Sequence, residues 1–379
     1  MTHILKIGMG WFADEPGGLN RIYAGLLNSL PAEGLSVRGL VAGSDAAAAA
    51  PPVLEFFARR EAPMWQRLYA CHRSLAMALR SHAVDVVAAH FALYALPAVR
   101  LLRDRQFVFH FHGPWAGESR VEGTGAVGVG VKRAIEGLVY GRANRFITLS
   151  DAFAGILVRD YGIARERIDV IPGGIDAARF NVATTRAEAC ALLGLPPDRP
   201  LVLSVRRLIR RVGLERLIDA MTTVRSRVPE ALLLIAGVGP IREELEALVR
   251  ERDLRNHVRF LGFVGEHLLP QLYRACAVSV VPSLSLEGFG LPTLESMAAG
   301  TPVLVTPVGG LPETVMALDP ALVLPDTSSV ALAEALTRAL REPGSLPTAA
   351  ACVGHVRANF DWPVISAKVR SVYQTTGRN

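Results

Sequence analysis

The residues best equipped for chemistry lie in 283–310, SLSLEGFGLPTLESMAAGTPVLVTPVGG. Two carboxylates, Glu287 and Glu295, stand eight residues apart, and Gly288, Phe289, Gly290 and Leu291 directly follow the first. Residues 277–282 form a short apolar run of strand character, and 292–299 carry the Leu, Glu, Met and Ala of a helix that stops at Gly300. Strand, glycine-rich turn and helix start therefore follow one another. Such a turn presents backbone N–H groups at the positive end of a helix dipole, here around Gly290 to Thr293, where phosphate or another anion is stabilised. A carboxylate is misplaced beside an anion unless it accepts hydrogen bonds from something else, such as hydroxyls. The stretch calls for a ligand that is phosphate at one end and polyol at the other. Taken singly, either glutamate could equally be an ordinary acid at a helix N-terminus.

A cationic cluster stands in the matching place of another strand. Residues 201–205 are apolar, and Arg206, Arg207, Arg210 and Arg211 follow at once in RRLIRRVG. Phosphate binding favours cations that keep their charge, and arginine adds a bidentate fork. In the first half, strands at 84–89 and 107–111 both run into histidine: His90, and His110 with His112 in FHFHG. Alternation along the second strand puts His110 and His112 on one face. No third ligand at a suitable spacing accompanies them, so a metal site is not expected. His112 precedes Gly113 at the carboxyl end of its strand, the edge where open α/β sheets bind ligands.

These groups must be positioned by alternating strands and helices. Residues 4–9 form an apolar strand, then Pro16, Gly17 and Gly18 make a turn, and Leu19, Ile22, Tyr23, Leu26, Leu27 and Leu30 mark a helix. Gly17 and Gly18 permit close approach of a ligand to the backbone, although an ordinary turn also explains them. A second strand is expected at 37–43, an Ala- and Pro-rich surface connection at 46–52, and an arginine-rich amphipathic helix over 55–83. Glycines and charges in 114–131 read as a mobile loop. Strands at 146–150 and 168–171 complete the first sheet. After a proline-rich linker ending at 195–200, strands at 201–205, 231–236, 258–260, 277–282, 303–306 and 322–324 alternate with helices at 241–252, 271–275, 292–299 and 330–341. An amphipathic segment at 364–373 closes the chain.

The 379 residues have room for two domains, and half of them are hydrophobic, enough for two cores. The formal charge of +6 and pI near 9.4 suit anionic partners such as nucleotide sugars or an anionic membrane surface. Nothing interleaves aromatic and basic residues or spaces zinc ligands in the way that would favour nucleic acid. Cys71, Cys190, Cys276 and Cys352 are far apart and form no C-x-x-C pair, which fits reduced thiols in a cytoplasmic protein. The first residues lack the charged and apolar regions of a signal peptide, and 86–99, the longest apolar stretch, is too short to span a bilayer. The expected location is cytoplasmic, with peripheral contact to the inner face of a membrane through the basic first half as an option.

In the form PS-x3-EGFG-x-x-x-LE-x-M-x-x-G-x-PV, continuing through Gly309, Gly310 and Glu313 as GG-x-x-E, the stretch resembles the E-x7-E signature of the retaining nucleotide-sugar glycosyltransferases of family 4. The resemblance implies an α/β protein of GT-B fold, two Rossmann-like domains facing across a central cleft. Residues 1–175 would be the acceptor side, 176–355 the donor side, and 356–379 a helix crossing back to the first domain. By the same resemblance Glu287 holds sugar hydroxyls and Glu295 the ribose hydroxyls, while Gly288, Phe289, Gly290, Leu291 and Thr293 line the donor. Gly17 and Gly18 face its diphosphate with Asn20 as a polar contact, His112 lies near the sugar's 6-hydroxyl, and Val264 follows the strand whose backbone reads the nucleobase. Residues 115–132 would shape the acceptor pocket. The family pattern G-R-L-x-x-x-K-G places Arg207 on the diphosphate but finds Val212 where its lysine belongs. Arg211, then Arg210, then Arg206 are the candidates for the missing charge. PGGID at 172–176 resembles the P-N-G-x-D hinge with Gly173 in place of asparagine.

The implied activity is metal-independent transfer of a hexose-type sugar, with retention, from a nucleoside-diphosphate sugar, a UDP-sugar first, to a hydroxyl acceptor. His112, Arg207 and Glu287 would act at the reacting centre, and no cofactor beyond the co-substrate is called for. Three other readings accompany it: a degenerate or non-catalytic nucleotide-sugar-binding protein, suggested by Val212; an epimerase of the same fold; and a glycosidase, which also uses paired carboxylates but across the scissile bond.

Overall fold

The structure is a computed structural model that describes residues 1–15, 17–43, 51–81, 83–102 and 105–376. Pro16 of the expected turn and residues 46–50 of the expected surface connection lie outside the described residues. The chain forms two compact units: Met1–Gly174 joined by the chain from Trp362 onward, and Ile175–Asp361.

The first unit holds a seven-stranded parallel sheet of β1 (His3–Gly10), β2 (Ser36–Ala42), β3 (Leu54–Ala58), β4 (Val86–Ala89), β5 (Gln106–Phe111), β6 (Arg145–Thr148) and β7 (Ile168–Val170) in the order β3-β2-β1-β4-β5-β6-β7. Parallel strands covered on both faces by helices read as unbroken apolar runs. β4 is VVAA with all four residues buried. Strand order reverses between β1 and β4, which opens a crevice at their carboxyl ends.

The second unit repeats the plan with five parallel strands: β8 (Leu201–Val205), β9 (Leu232–Ala236), β10 (Val258–Gly262), β11 (Val278–Val281) and β12 (Val303–Val305), ordered β10-β9-β8-β11-β12. Its reversal falls between β8 and β11, the strands that feed the arginine cluster and Glu287.

The helix Trp362–Thr376 belongs to the first unit. Its Trp362 ring occupies the space above Gly25, where a Cβ would come within 1.8 Å of it, and its Tyr373 is fully buried. All four cysteines are buried and unpaired, and burial pushes the thiols of Cys71 and Cys352 up to about 12. Among the described residues, no helix is long and apolar enough to cross a membrane.

Three expectations need correction. Residues 55–58 are strand, not helix, because Leu54–Ala58 pairs in parallel with β2 and buries Phe57; the helix starts only at Met64. The glycine-rich 114–131 is not a loop but the helices Trp115–Val121 and the start of Ala126–Arg142. Gly130 and Gly137 of the latter have open space around them, so they cost helix propensity without being required, and the helix is anchored by buried Glu136, Val139 and Tyr140. Residues 322–324 form no strand; a 3₁₀ turn, Pro320–Leu322, is followed by a single bridge from Val323 to Val305.

Candidate functional site

In the second unit, the loops at the carboxyl ends of β8, β9, β11 and β12 press on one another. Gly213, at φ +79°, lies where a Cβ would sit 2.1 Å from the Pro282 carbonyl oxygen. Gly237 and Gly239 after β9 pass under the backbone of Arg206 and Leu208, with Cβ positions 1.9 and 2.3 Å from their carbonyl oxygens. Gly309, at φ +58°, brings the β12 loop so close that a Cβ would meet the Glu287 carbonyl oxygen at 1.8 Å, and the Gly310 N–H donates to that oxygen over 3.0 Å. Leu286 itself takes φ +50°, a costly conformation for leucine that the surrounding loops enforce. Glu287 is therefore held by backbone on several sides.

Its carboxylate is buried and paired. Arg206 Nη2 donates to Glu287 Oε2 and, over 3.0 Å, to Ser283 Oγ; Ser283 Oγ donates to the same Oε2 over 2.8 Å. Both hydrogen bonds fall on Oε2, so among the described residues Oε1 keeps its lone pairs. Burial alone would raise the Glu287 pKa, but the Arg206 charge, the Ser283 hydrogen bond and the Arg211 charge outweigh it and hold the carboxyl below its ordinary value. Arg211 Nη1 donates to the Leu286 carbonyl oxygen over 3.0 Å. Arg210 leans away, exposed, toward Glu244 at 2.5 Å and Glu215 at 3.7 Å. Arg207 is exposed and has no ion pair among the described residues. Val212, in the place of the family lysine, is buried. Arg206, ranked last of the three compensating arginines, is the one that touches Glu287. No local pattern announces it, since the pair spans 81 positions of sequence.

The turn after Glu287 leads into the helix Leu291–Ala298, with Gly290 at φ +82° before it. Thr293 returns its hydroxyl to the Gly290 carbonyl oxygen at 2.7 Å, so its side chain shapes the turn. Phe289 is buried with its ring 5.9 Å from Phe360, which makes it core, while Gly288 remains partly accessible. Leu291 is buried at the first helical position. Glu295 is buried and accepts from the Tyr273 hydroxyl at 2.9 Å. Val264 is half-buried just past the end of β10.

In the first unit, Gly17 stands before the helix Gly18–Ser29 with open space around it. Asn20 is buried, accepts from the Gly10 N–H at 3.2 Å and donates to the Glu15 carbonyl oxygen at 3.0 Å. Its amide ties the loop to β1. His112 follows β5 and is reached by a chain of polar groups: Lys6 Nζ to His90 Nε2 at 2.8 Å, then His90 Nδ1 to His112 Nε2 at 2.9 Å. His112 Nδ1 is buried and has no partner among the described residues. Burial, reinforced by the Lys6 charge, depresses the His112 pKa to about 3, so the ring is neutral. Trp115 meets the Phe91 ring at 5.2 Å and lies under Lys132, whose Nζ is 5.1 Å from its centroid.

The profile of glycosyltransferase family 4 matches residues 16–179, and that of glycosyl transferases group 1 matches residues 187–353. Glycogen synthase of Mycobacterium tuberculosis is 32% identical over 304 residues, 79% of this chain and 70% of that protein. A GDP-mannose-dependent alpha-(1-6)-phosphatidylinositol monomannoside mannosyltransferase of the same organism is 32% identical over 210 residues, 53% of this chain and 54% of that one. The solved sucrose-phosphate synthase of Thermosynechococcus elongatus superposes with a TM-score of 0.80 at 26% identity, covering 99% of each chain. Against several curated relatives the match spans about half of their length, 44%, 53% and 58% in three cases. With the family's signature on the crevice of the second sheet and a relative aligned over most of both chains, this chain belongs to the family 4 glycosyltransferases of GT-B fold.

Proposed function

We propose that the protein transfers a hexose-type sugar from a nucleoside-diphosphate sugar to a hydroxyl acceptor, with retention and without a metal ion. The observation that carries this reading is Glu287: a buried carboxylate whose Oε2 is fixed by Arg206 and Ser283 while Oε1 accepts nothing among the described residues, beside the start of a helix at a strand-order reversal. Oε1 would accept sugar hydroxyls. Arg207, exposed and unpaired among the described residues, and Arg211 would meet the charge that develops as the bond from the anomeric carbon to the diphosphate oxygen breaks. The acceptor hydroxyl oxygen forms the new bond on the same face, and its proton passes to the departing phosphate. His112 would orient the sugar as a neutral imidazole, and Glu295 would take the ribose hydroxyls.

UDP-sugars are the first donors to try, and GDP-mannose the second. A thermal-shift screen of nucleoside diphosphates should show one base raising the melting temperature, since a ligand of the native state stabilises it. Radiolabelled sugar from the matching donor should then appear in product with release of the nucleotide only when acceptor is present. Arg211→Ala should lower kcat/KM about 100-fold if it supplies the missing cation; wild-type kinetics would reassign that charge. Binding with no turnover across a broad acceptor panel would favour the non-catalytic alternative suggested by Val212.

We also read a membrane contact in the first unit. The helix Met64–Ser81 buries Cys71, Leu75 and Ala78 and exposes Trp65 (68%), Tyr69 (62%) and Met77 (60%) on the face that also carries Arg73 and Arg80. Aromatic and basic residues on one helix face suit an anionic lipid surface. Sedimentation with phosphatidylglycerol vesicles should retain the wild type and lose about tenfold of that binding in Trp65→Ser/Tyr69→Ser; equal retention would leave the helix as plain surface.

A further inference from the structure

Lys6 is an oddity of β1. Its side chain is fully buried in the middle of a parallel sheet, and among the described residues no carboxylate pairs with it. Burying an ammonium in this way is costly, and a methionine would fill the space more cheaply. The groups facing Lys6 come from every element packed on it. Tyr23, from the first helix, lies with its ring 5.6 Å from Nζ; His90, directly after β4, accepts at 2.8 Å; Tyr373, from the last helix, lies 3.4 Å from Nζ through its hydroxyl. Tyr373 also meets His110 Nε2 at 2.7 Å, and His110 and His112 on the β5 segment stack on or beside His90.

The direction of these hydrogen bonds follows from Lys6. An ammonium has only donors. His90 Nε2 must therefore accept, so a neutral His90 carries its proton on Nδ1 and donates to His112 Nε2. His112 then carries its own proton on Nδ1, the atom that has no partner among the described residues. A neutral Lys6 amine has a lone pair, and the whole chain can reverse: His112 Nε2–H to His90 Nδ1, His90 Nε2–H to Lys6 Nζ. His112 Nδ1 would then be an acceptor.

We propose that Lys6 is a positioning residue for glycosyl transfer: acting through His90, its ammonium holds His112 as the Nδ1–H tautomer, so that the ring offers a donor to a sugar oxygen. The last step rests on the transfer mechanism proposed above; control of the tautomer does not. The charge of the relay turns over at neutral pH, because burial brings Lys6 down to about 7 while it drives both tyrosines above and all three histidines below that range. The donor tautomer is thus enforced on the acid side of neutrality and relaxes to a mixture on the alkaline side.

The test is a ¹⁵N-histidine two-bond correlation spectrum of the full, ligand-free chain from about pH 5.5 to about pH 8.5, with His112 assigned through His112→Gln. The expected result is an Nδ1–H signature for His112 at low pH that gives way to a mixture with a midpoint near 7. In Lys6→Met that step should vanish, and kcat/KM should fall about 10–100-fold, as when the partner that fixes a histidine tautomer is lost. An Nε2–H signature throughout, or an unchanged step in Lys6→Met, overturns the proposal. Should Lys6→Met not fold, the wild-type titration decides alone. A tautomer step without turnover of any nucleotide sugar upholds the relay and overturns the transfer reading; turnover without the step does the reverse.

Discussion

Arg206→Met is expected to destabilise the second unit by about 3–5 kcal/mol, because it strips the partner from a buried carboxylate. Both side chains are nearly enclosed, 9% exposed for Arg206 and 12% for Glu287. The sign of the pH dependence follows from the depressed Glu287 pKa. In the wild type, the pair's contribution is fully present above the ordinary carboxylate value of 4.5 and is lost as pH falls through the lower folded value. Without Arg206, burial raises the Glu287 pKa instead, so the destabilisation should be largest near neutrality and shrink on acidification. Urea unfolding at about pH 7.5 and about pH 5 measures this; a loss equal at both would mean that Glu287 does not ionise against Arg206. Transfer should fall by about 10³-fold in kcat/KM, since the protonated carboxyl no longer accepts from a hydroxyl in the same way. Its neighbour gives the control: Arg207→Met, at an exposed position, should change stability by no more than about 0.5 kcal/mol.

Gly309→Ala should be nearly as harmful without touching any charge. A Cβ there would lie 1.8 Å from the Glu287 carbonyl oxygen, which is backbone and cannot rotate away, and φ is +58°. Left-handed strain costs about 1–2 kcal/mol by itself, and displacement of the Glu287 loop brings the expected loss to roughly 2–4 kcal/mol. A shift of about 1 Å in Glu287 should cost about 100-fold in kcat. Gly344→Ala, in open space with no left-handed backbone, should be neutral within about 0.5 kcal/mol. If the two variants behave alike in denaturation and kinetics, the β12 loop does not position Glu287.

Much of the architecture can be read from apolar runs such as VVAA at 86–89 and LLLIA at 232–236, because burial on both faces removes the polar alternation that would blur them. The two glutamates are likewise legible from spacing. Glu295 falls within a helix and Glu287 in the loop before it, as eight residues across a strand, turn and helix start require. What escaped reading is what depends on distant partners. Glycines at 125, 128 and 130 point to a loop only while the burial of Glu136 and Tyr140 further along the same helix is unknown. Phe56 and Phe57 look helical until β2 supplies an edge to pair with. Asn20 is expected as a polar contact of the donor, and the bonds its amide makes to Gly10 and Glu15 are ones that no spacing announces. Lys6 left a signal that was there to be used: a single lysine inside an otherwise apolar strand of a fully covered sheet.

The return of Trp362–Thr376 to the first unit bears on how the protein is made. Residues 175–361 are contiguous and their ends meet, with the Ile175 N–H donating to the Phe360 carbonyl oxygen at 2.9 Å, so this unit can close as soon as it leaves the ribosome. The first unit, although translated earlier, must wait with the Gly25 face and the Lys6 and His110 side chains uncovered until Trp362 and Tyr373 are synthesised. In vectorial synthesis the part begun first is the part finished last, and a nascent chain that stops short of residue 362 carries an open wound in its older half.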